Sequence, residues 1–152
     1  MYAGGNGSFQ SSAGSTAWTD VSLAAKLKVV SFGGASSAYR AGIVARYNGS
    51  SNDYVLALDA TANLVLMRGM SAVSGSGTCG AIFVGASTGA WHDLRIDATG
   101  PSGNVTLKTY FDGTAEHSCV TTSSTSANGE IALVTVGGAT KAEFDDVTVT
   151  LR

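Results

Sequence analysis

Apolar and polar positions alternate along most of this chain. In Trp18–Phe32, Val21, Leu23, Ala25, Leu27 and Val29 fall on one face, and Ser22, Ala24, Lys26, Lys28 and Val30 on the other. A period of two held that long predicts a half-buried strand. Tyr39–Tyr47 repeats the pattern: Tyr39, Ala41, Ile43, Ala45 and Tyr47 share one side, while Arg40, Gly42, Val44 and Arg46 share the other. An Asn48-Gly49 turn leads into Asp53–Asp59, and a bend returns the chain through Leu64–Arg68, giving a three-stranded meander. Gly69–Gly80 is small and polar apart from Met70 and Val73, and predicts a loop.

Further strands are expected at Ser8–Ser12, Ala81–Ala86, Trp91–Ala98, Val105–Phe111, Thr114–Val120, Glu130–Val136 and Lys141–Leu151, divided by turns such as Asp112-Gly113 and Gly137-Gly138. In Trp91–Ala98, His92, Leu94, Ile96 and Ala98 oppose Trp91, Asp93, Arg95 and Asp97. No ten-residue segment carries helical periodicity with caps. Strand signals at this spacing indicate one all-β domain over residues 1–152, two antiparallel sheets of about 11 or 12 strands.

Composition narrows the class. Apolar residues make up 44% of the 152 and charged residues 13%, which argues against disorder. The net charge of −2 comes without a basic run, so nucleic acid is a poor partner. No apolar stretch nears the ~20 residues that span a bilayer as a helix, and no signal peptide is evident. The chain reads as a module of a larger exported protein, fused to other domains, and its composition as bacterial. Cys79 and Cys119, with 39 residues between them, suit a disulfide in an oxidising compartment; the alternative is two buried thiols. No Cys/His cluster suggests a zinc site.

The run Arg40-Ala-Gly-Ile-Val-Ala-Arg46-Tyr47, then Asp53-Tyr54-Val-Leu-Ala-Leu58 and Leu64-Val-Leu-Met-Arg68, resembles the laminin-G-like, concanavalin A-like jelly-roll domains. Trp91-His-Asp-Leu94-Arg-Ile96, Tyr110-Phe-Asp112-Gly113 and Ala142-Glu-Phe144-Asp145-Asp146-Val147 extend the likeness from Trp18 onward. The resemblance implies a two-sheet jelly roll and a sugar-related role, as in the carbohydrate-binding modules of bacterial secreted proteins. It also implies a structural Ca²⁺ where the terminal strands meet, with Asp145 as ligand and carbonyls from Gly4–Asn6 or Gly33–Gly34 beside it.

Catalysis is weakly signalled. The β-glucanases of this fold carry Glu-x-Asp-x-Glu on one strand; here Glu143-Phe-Asp145 begins the pattern and Val147 ends it. Of the alginate-lyase motifs, Gln-x-His is absent, and Lys108-Thr-Tyr110 matches the Tyr-Lys pair only loosely. His92 and His117 are single and read as satisfied sheet residues. Trp18 and Trp91 read as core plugs or edge covers.

The candidate sugar-binding residues are Arg40, Arg46, Lys108 and Tyr110. Arginine offers a planar fork to hydroxyls or a uronate carboxylate, and tyrosine an amphipathic ring. Surface ion pairing of the arginines with Asp53 or Asp59 is the competing reading. The expected function is a non-catalytic module whose concave sheet grips a polysaccharide through these four residues. The alternatives are an adhesive or structural domain that binds protein, and a small lyase or hydrolase.

Overall fold

A computed structural model describes residues 8–49, 52–122 and 127–152. They form thirteen strands and no helix: β1 (Phe9–Ala13), β2 (Val21–Ser31), β3 (Arg40–Tyr47), β4 (Tyr54–Asp59), β5 (Asn63–Arg68), β6 (Ser71–Ala72), β7 (Gly75–Thr78), β8 (Ala81–Phe83), β9 (Trp91–Thr99), β10 (Val105–Phe111), β11 (Thr114–Thr121), β12 (Glu130–Val136) and β13 (Lys141–Leu151). All pairings are antiparallel. The first sheet runs β1-β12-β3-β4-β5-β6, with β8 also paired to β5; the second runs β13-β2-β9-β10-β11-β7. This is the two-layer sandwich that the alternation predicted and the jelly roll that the resemblance implied. The Gly4–Asn6 part of the calcium expectation lies outside the described residues.

The alternation decides what goes between the layers. Val21, Leu23 and Leu27 of β2, with Leu94 and Ile96 of β9 and Leu107 of β10, face Ile43, Leu56 and Leu66 of the first sheet in one buried cluster. Each such side chain contributes roughly 1.5–3 kcal/mol by leaving water. A second cluster, which includes Val44, Val55, Val65, Met67 and Val134, is buried on the opposite face of the first sheet. The strands of this sheet are therefore apolar on both sides, which is why they read as near-continuous hydrophobic runs.

The simple alternation fails in β3. Register passes from Tyr47↔Glu130 to Val44↔Ala132, so β3 carries one extra residue, and Arg46 takes a φ of 55°. This bulge resets the phase: Tyr47 joins the outer cluster with Val44, against the expectation that it shares a side with Ile43. Gly129 abuts the bulge, where a β-carbon would lie 2.3 Å from the Arg46 carbonyl carbon.

Gly69–Gly80, expected to be a loop, contains β6 and β7. This strap leaves the first sheet at β6, joins the edge of the second as β7, and returns as β8. No apolar period announces β7, whose sequence is Gly75-Ser-Gly-Thr78. Its glycines let backbone meet backbone: a β-carbon on Gly77 would sit 2.1 Å from the Ser118 carbonyl oxygen. A disulfide between Cys79 and Cys119, with Cα atoms 5.2 Å apart, ties the strap to β11.

His117 holds the strap as well. It is 2% exposed, with Nε2 3.0 Å from the Gly80 carbonyl oxygen and Nδ1 2.7 Å from the Thr109 hydroxyl. A carbonyl only accepts, so Nε2 carries the proton and donates to Gly80, while the Thr109 hydroxyl donates to Nδ1. Burial pushes the His117 pKa below its usual 6.5, against the smaller opposing effect of the Gly80 carbonyl. The unfolded chain therefore binds a proton that the folded chain resists. Stability is full above the unfolded pKa and falls as pH drops below it, by up to about 1.4 kcal/mol per pH unit until the folded pKa is reached. Urea midpoints measured from about pH 7 to about pH 5 are expected to decline less in His117→Gln than in the wild type; equal slopes would refute the assignment.

Candidate functional site

The outer face of the second sheet carries a ladder of charged and aromatic side chains. Antiparallel register places Glu143, Lys28 and Trp91 on one rung, Asp145, Lys26 and Asp93 on the next, then Ala24, Arg95 and Tyr110, then Ser22, Asp97 and Lys108. Opposite charges on adjacent strands stabilise such a face. Lys28 Nζ is 2.5 Å from Glu143 and 5.0 Å from the centre of the Trp91 ring. Lys26 Nζ is 2.6 Å from Asp146, whose φ of 49° at a second bulge, in β13, turns it toward this face. Asp146 raises the Lys26 pKa most, with Asp93 and Asp145 adding to the effect. The Arg95 guanidinium lies 3.5 Å from the centre of the Tyr110 ring, and Asp97 accepts from Ser22 Oγ and from Arg152.

Where Ala24 leaves space between longer neighbours, a groove of about 360 Å³ opens, lined by Lys26, Asp93, Arg95, Tyr110, Asp146 and Gly113. Ammonium, guanidinium and phenol groups offer donors there, and two carboxylates offer acceptors. Trp91, 44% exposed two rungs away, adds an apolar plane. It does not plug the core, whereas Trp18 does pack against it.

The four expected sugar-binding residues do not converge. Lys108 and Tyr110 stand on this ladder. Arg40 lies on the outer side of the first sheet, beside a separate groove lined by Ser37, Asp59, Thr61, Asn63, Met67 and Met70. Arg46 faces neither groove: the bulge turns it inward, where it is 0% exposed. Its Nε donates to the Thr19 carbonyl at 2.7 Å, and one Nη group donates to the Gly100 carbonyl at 2.8 Å and to Asp20 at 3.1 Å. Burial lowers the Arg46 pKa, opposed by Tyr54 and Asp20. The expected ion pair between Arg40 and Asp59 is also absent, although the two residues are cross-strand neighbours.

Asp145 is used locally, and the Gly33–Gly34 part of the implied calcium set does not lie beside it. Its Oδ1 accepts from the Asp146 amide at 2.8 Å and so caps the bulge, and the Lys26 ammonium is held on the same rung. Gly33 donates to Thr140, just before β13 starts, while Asp145 lies four residues further along that strand, ~13 Å away at strand rise. The Gly33–Gly34 carbonyls therefore cannot share an ion with it. Among the described residues, no three His, Cys, Asp or Glu side chains gather as a metal site.

Solved structures share this architecture. The GH43 protein BlXynB from Bacillus licheniformis superposes with a TM-score of 0.58 and 17% identity over 88% of this chain, which spans 28% of that protein. Sheep galectin-11 matches over 93% of this chain and 96% of its own, with a TM-score of 0.57 and 9% identity. The galectin LEC-6 of Caenorhabditis elegans matches over 93% and 89%, with a TM-score of 0.57 and 12% identity. The fold is a two-sheet jelly roll. No family model and no curated protein matches the sequence.

Sequence reasoning placed Trp91, Asp93 and Arg95 together on the face opposite the core but did not select them as a site. The signal that would have selected them is cross-strand register: Lys26 beside Asp93 and Arg95 beside Tyr110 become neighbours only once β2, β9 and β10 are aligned.

Proposed function

We propose that this domain is a non-catalytic carbohydrate-binding module of an exported protein, and that it takes its glycan on the outer face of the second sheet. The observation that carries this reading is the groove at Tyr110 and Arg95. It is a shallow, preformed depression with an aromatic wall and charged donors and acceptors in fixed positions, on a rigid sheet. Saccharides present apolar C–H faces and rims of hydroxyls, and such a surface meets both needs. Galectins share the fold, which supports a saccharide as the ligand class. The disulfide suits an oxidising compartment, and among the described residues no helix is long and apolar enough to cross a membrane.

A binding rather than hydrolytic role is favoured by how the carboxylates are used. Glycosidic cleavage needs one protonated and one ionised carboxyl group across the sugar. Asp146 is committed to the Lys26 ammonium and Glu143 to that of Lys28, so each serves as a counter-charge within the sheet face.

Calorimetry against a panel of neutral and acidic oligosaccharides tests the proposal. At least one is expected to bind with a Kd between about 1 µM and about 1 mM, and Tyr110→Ala and Arg95→Ala are each expected to weaken it about tenfold without loss of folding. Absence of binding to every glycan rejects the reading, and release of reducing sugar or unsaturated uronate from any of them rejects its non-catalytic part.

A further inference from the structure

On the other side of the sandwich, the Arg40 guanidinium makes no ion pair among the described residues. Arg40 opens β3 directly opposite Asp59. Asp59, however, gives its oxygens to the bend between β4 and β5. Its Oδ1 accepts from the Thr61 amide at 2.9 Å, the Thr61 hydroxyl at 2.7 Å and the Asn63 amide at 3.1 Å, and its Oδ2 from the Asn63 side chain at 3.4 Å. Arg40 reaches instead across β4 to β5, where one Nη donates to Met67 Sδ at 3.0 Å. A thioether is a weak acceptor. The Arg40 Nε is buried with no hydrogen-bond partner, and among the described residues Arg40 makes no ion pair. A half-buried charge with so little compensation is unfavourable until an anion meets it.

We infer that Arg40 anchors a second ligand site, independent of the groove at Tyr110, and that this site takes the carboxylate of a uronic acid. The adjoining groove measures about 350 Å³, near the lower end of small-molecule sites and suited to one sugar ring. Its rim is polar at Ser37, Thr61 and Asn63, and its wall is apolar at Val65 and Met70. A sugar acid presents the matching set: one planar anionic group, several hydroxyls and a C–H face. The guanidinium fork matches a carboxylate in shape. A phosphate is a poorer fit, because its second charge would face Asp59 with only one cation to offset it.

The test is an NMR titration of the whole ¹⁵N-labelled chain with galacturonate and, separately, with galactose as its neutral twin. The Arg40 Nε–H resonance and the amides of Thr61, Asn63 and Met70 report on the site. Galacturonate is expected to shift them saturably, with a Kd of about 1 mM, and galactose to leave them in place. Arg40→Gln is expected to weaken galacturonate binding at least about tenfold with an unchanged melting temperature, and Arg40→Lys, which keeps the charge but loses the fork, to fall between. Tyr110→Ala is expected to leave this titration unchanged, so the failure of one site is distinguishable from that of the other. The proposal is overturned by equal shifts with both sugars, by no shift with galacturonate, or by binding to Arg40→Gln within about twofold of wild type.

Discussion

Replacing both cysteines, as Cys79→Ala/Cys119→Ala, is expected to lower the melting temperature by about 10 °C. The bond closes a loop with a sequence separation of 40, worth about 4 kcal/mol in the chain-entropy model. For a chain of this length each kcal/mol moves the midpoint by roughly 2–4 °C. The loss should also be uneven. β7 is Gly-Ser-Gly-Thr, exposed along its length and, among the described residues, paired only with β11, so no buried side chain of its own holds it in place. Hydrogen exchange in the double variant is therefore expected to accelerate most at Gly75–Thr78 and least in β2, whose inward residues are all in the core. The measurements are thermal unfolding by circular dichroism and exchange read by mass spectrometry. A midpoint within about 2 °C of wild type would mean that packing alone secures the strap.

Much of this architecture could be read from the residues, because one face of most strands is buried against the other layer. Val21, Leu23 and Leu27 alternate without a break, and β2 follows them. The features that escaped have physical reasons. β7 has no hydrophobic period, since its place is fixed by glycine backbone approach and a covalent bond. The bulge at Arg46 adds one residue and inverts the facing of those beyond it, and nothing in Ala-Arg-Tyr marks the spot; Gly129, which makes room for it, is 83 residues further along the chain. The four sugar-binding candidates do not converge for the same reason. Arg40 and Arg46 share a parity but not a face, and Lys108 and Tyr110 belong to the other sheet. Parity assigns a side within one strand; register and bulges decide which strands' sides meet.

That inversion gives the second large expectation. Arg46→Ala should destabilise the fold by about 2–4 kcal/mol, somewhat less than breaking a fully buried charge pair, because Arg46 is enclosed while its partner Asp20 is partly exposed. The guanidinium binds three separate pieces of backbone or side chain near one end of the sandwich: the Thr19 carbonyl before β2, Asp20 beside it, and the Gly100 carbonyl after β9. Asp20 Oδ1 in turn accepts from the Gly100 amide at 2.9 Å. Truncation to alanine takes a donor from the partly enclosed Thr19 and Gly100 carbonyls and the cation from Asp20, and water reaching these groups keeps the cost of each toward the lower end of about 1–3 kcal/mol. It also keeps a side chain at a φ of 55°, so strain at the bulge remains. Arg46→Lys retains charge but can satisfy fewer acceptors at once, so an intermediate loss is expected. Urea unfolding of the three proteins at neutral pH provides the measurement. Glycan binding, measured where the variants remain folded, should be unchanged, because Arg46 faces neither groove. A variant of full stability with lost binding would reverse this assignment and return Arg46 to a ligand surface.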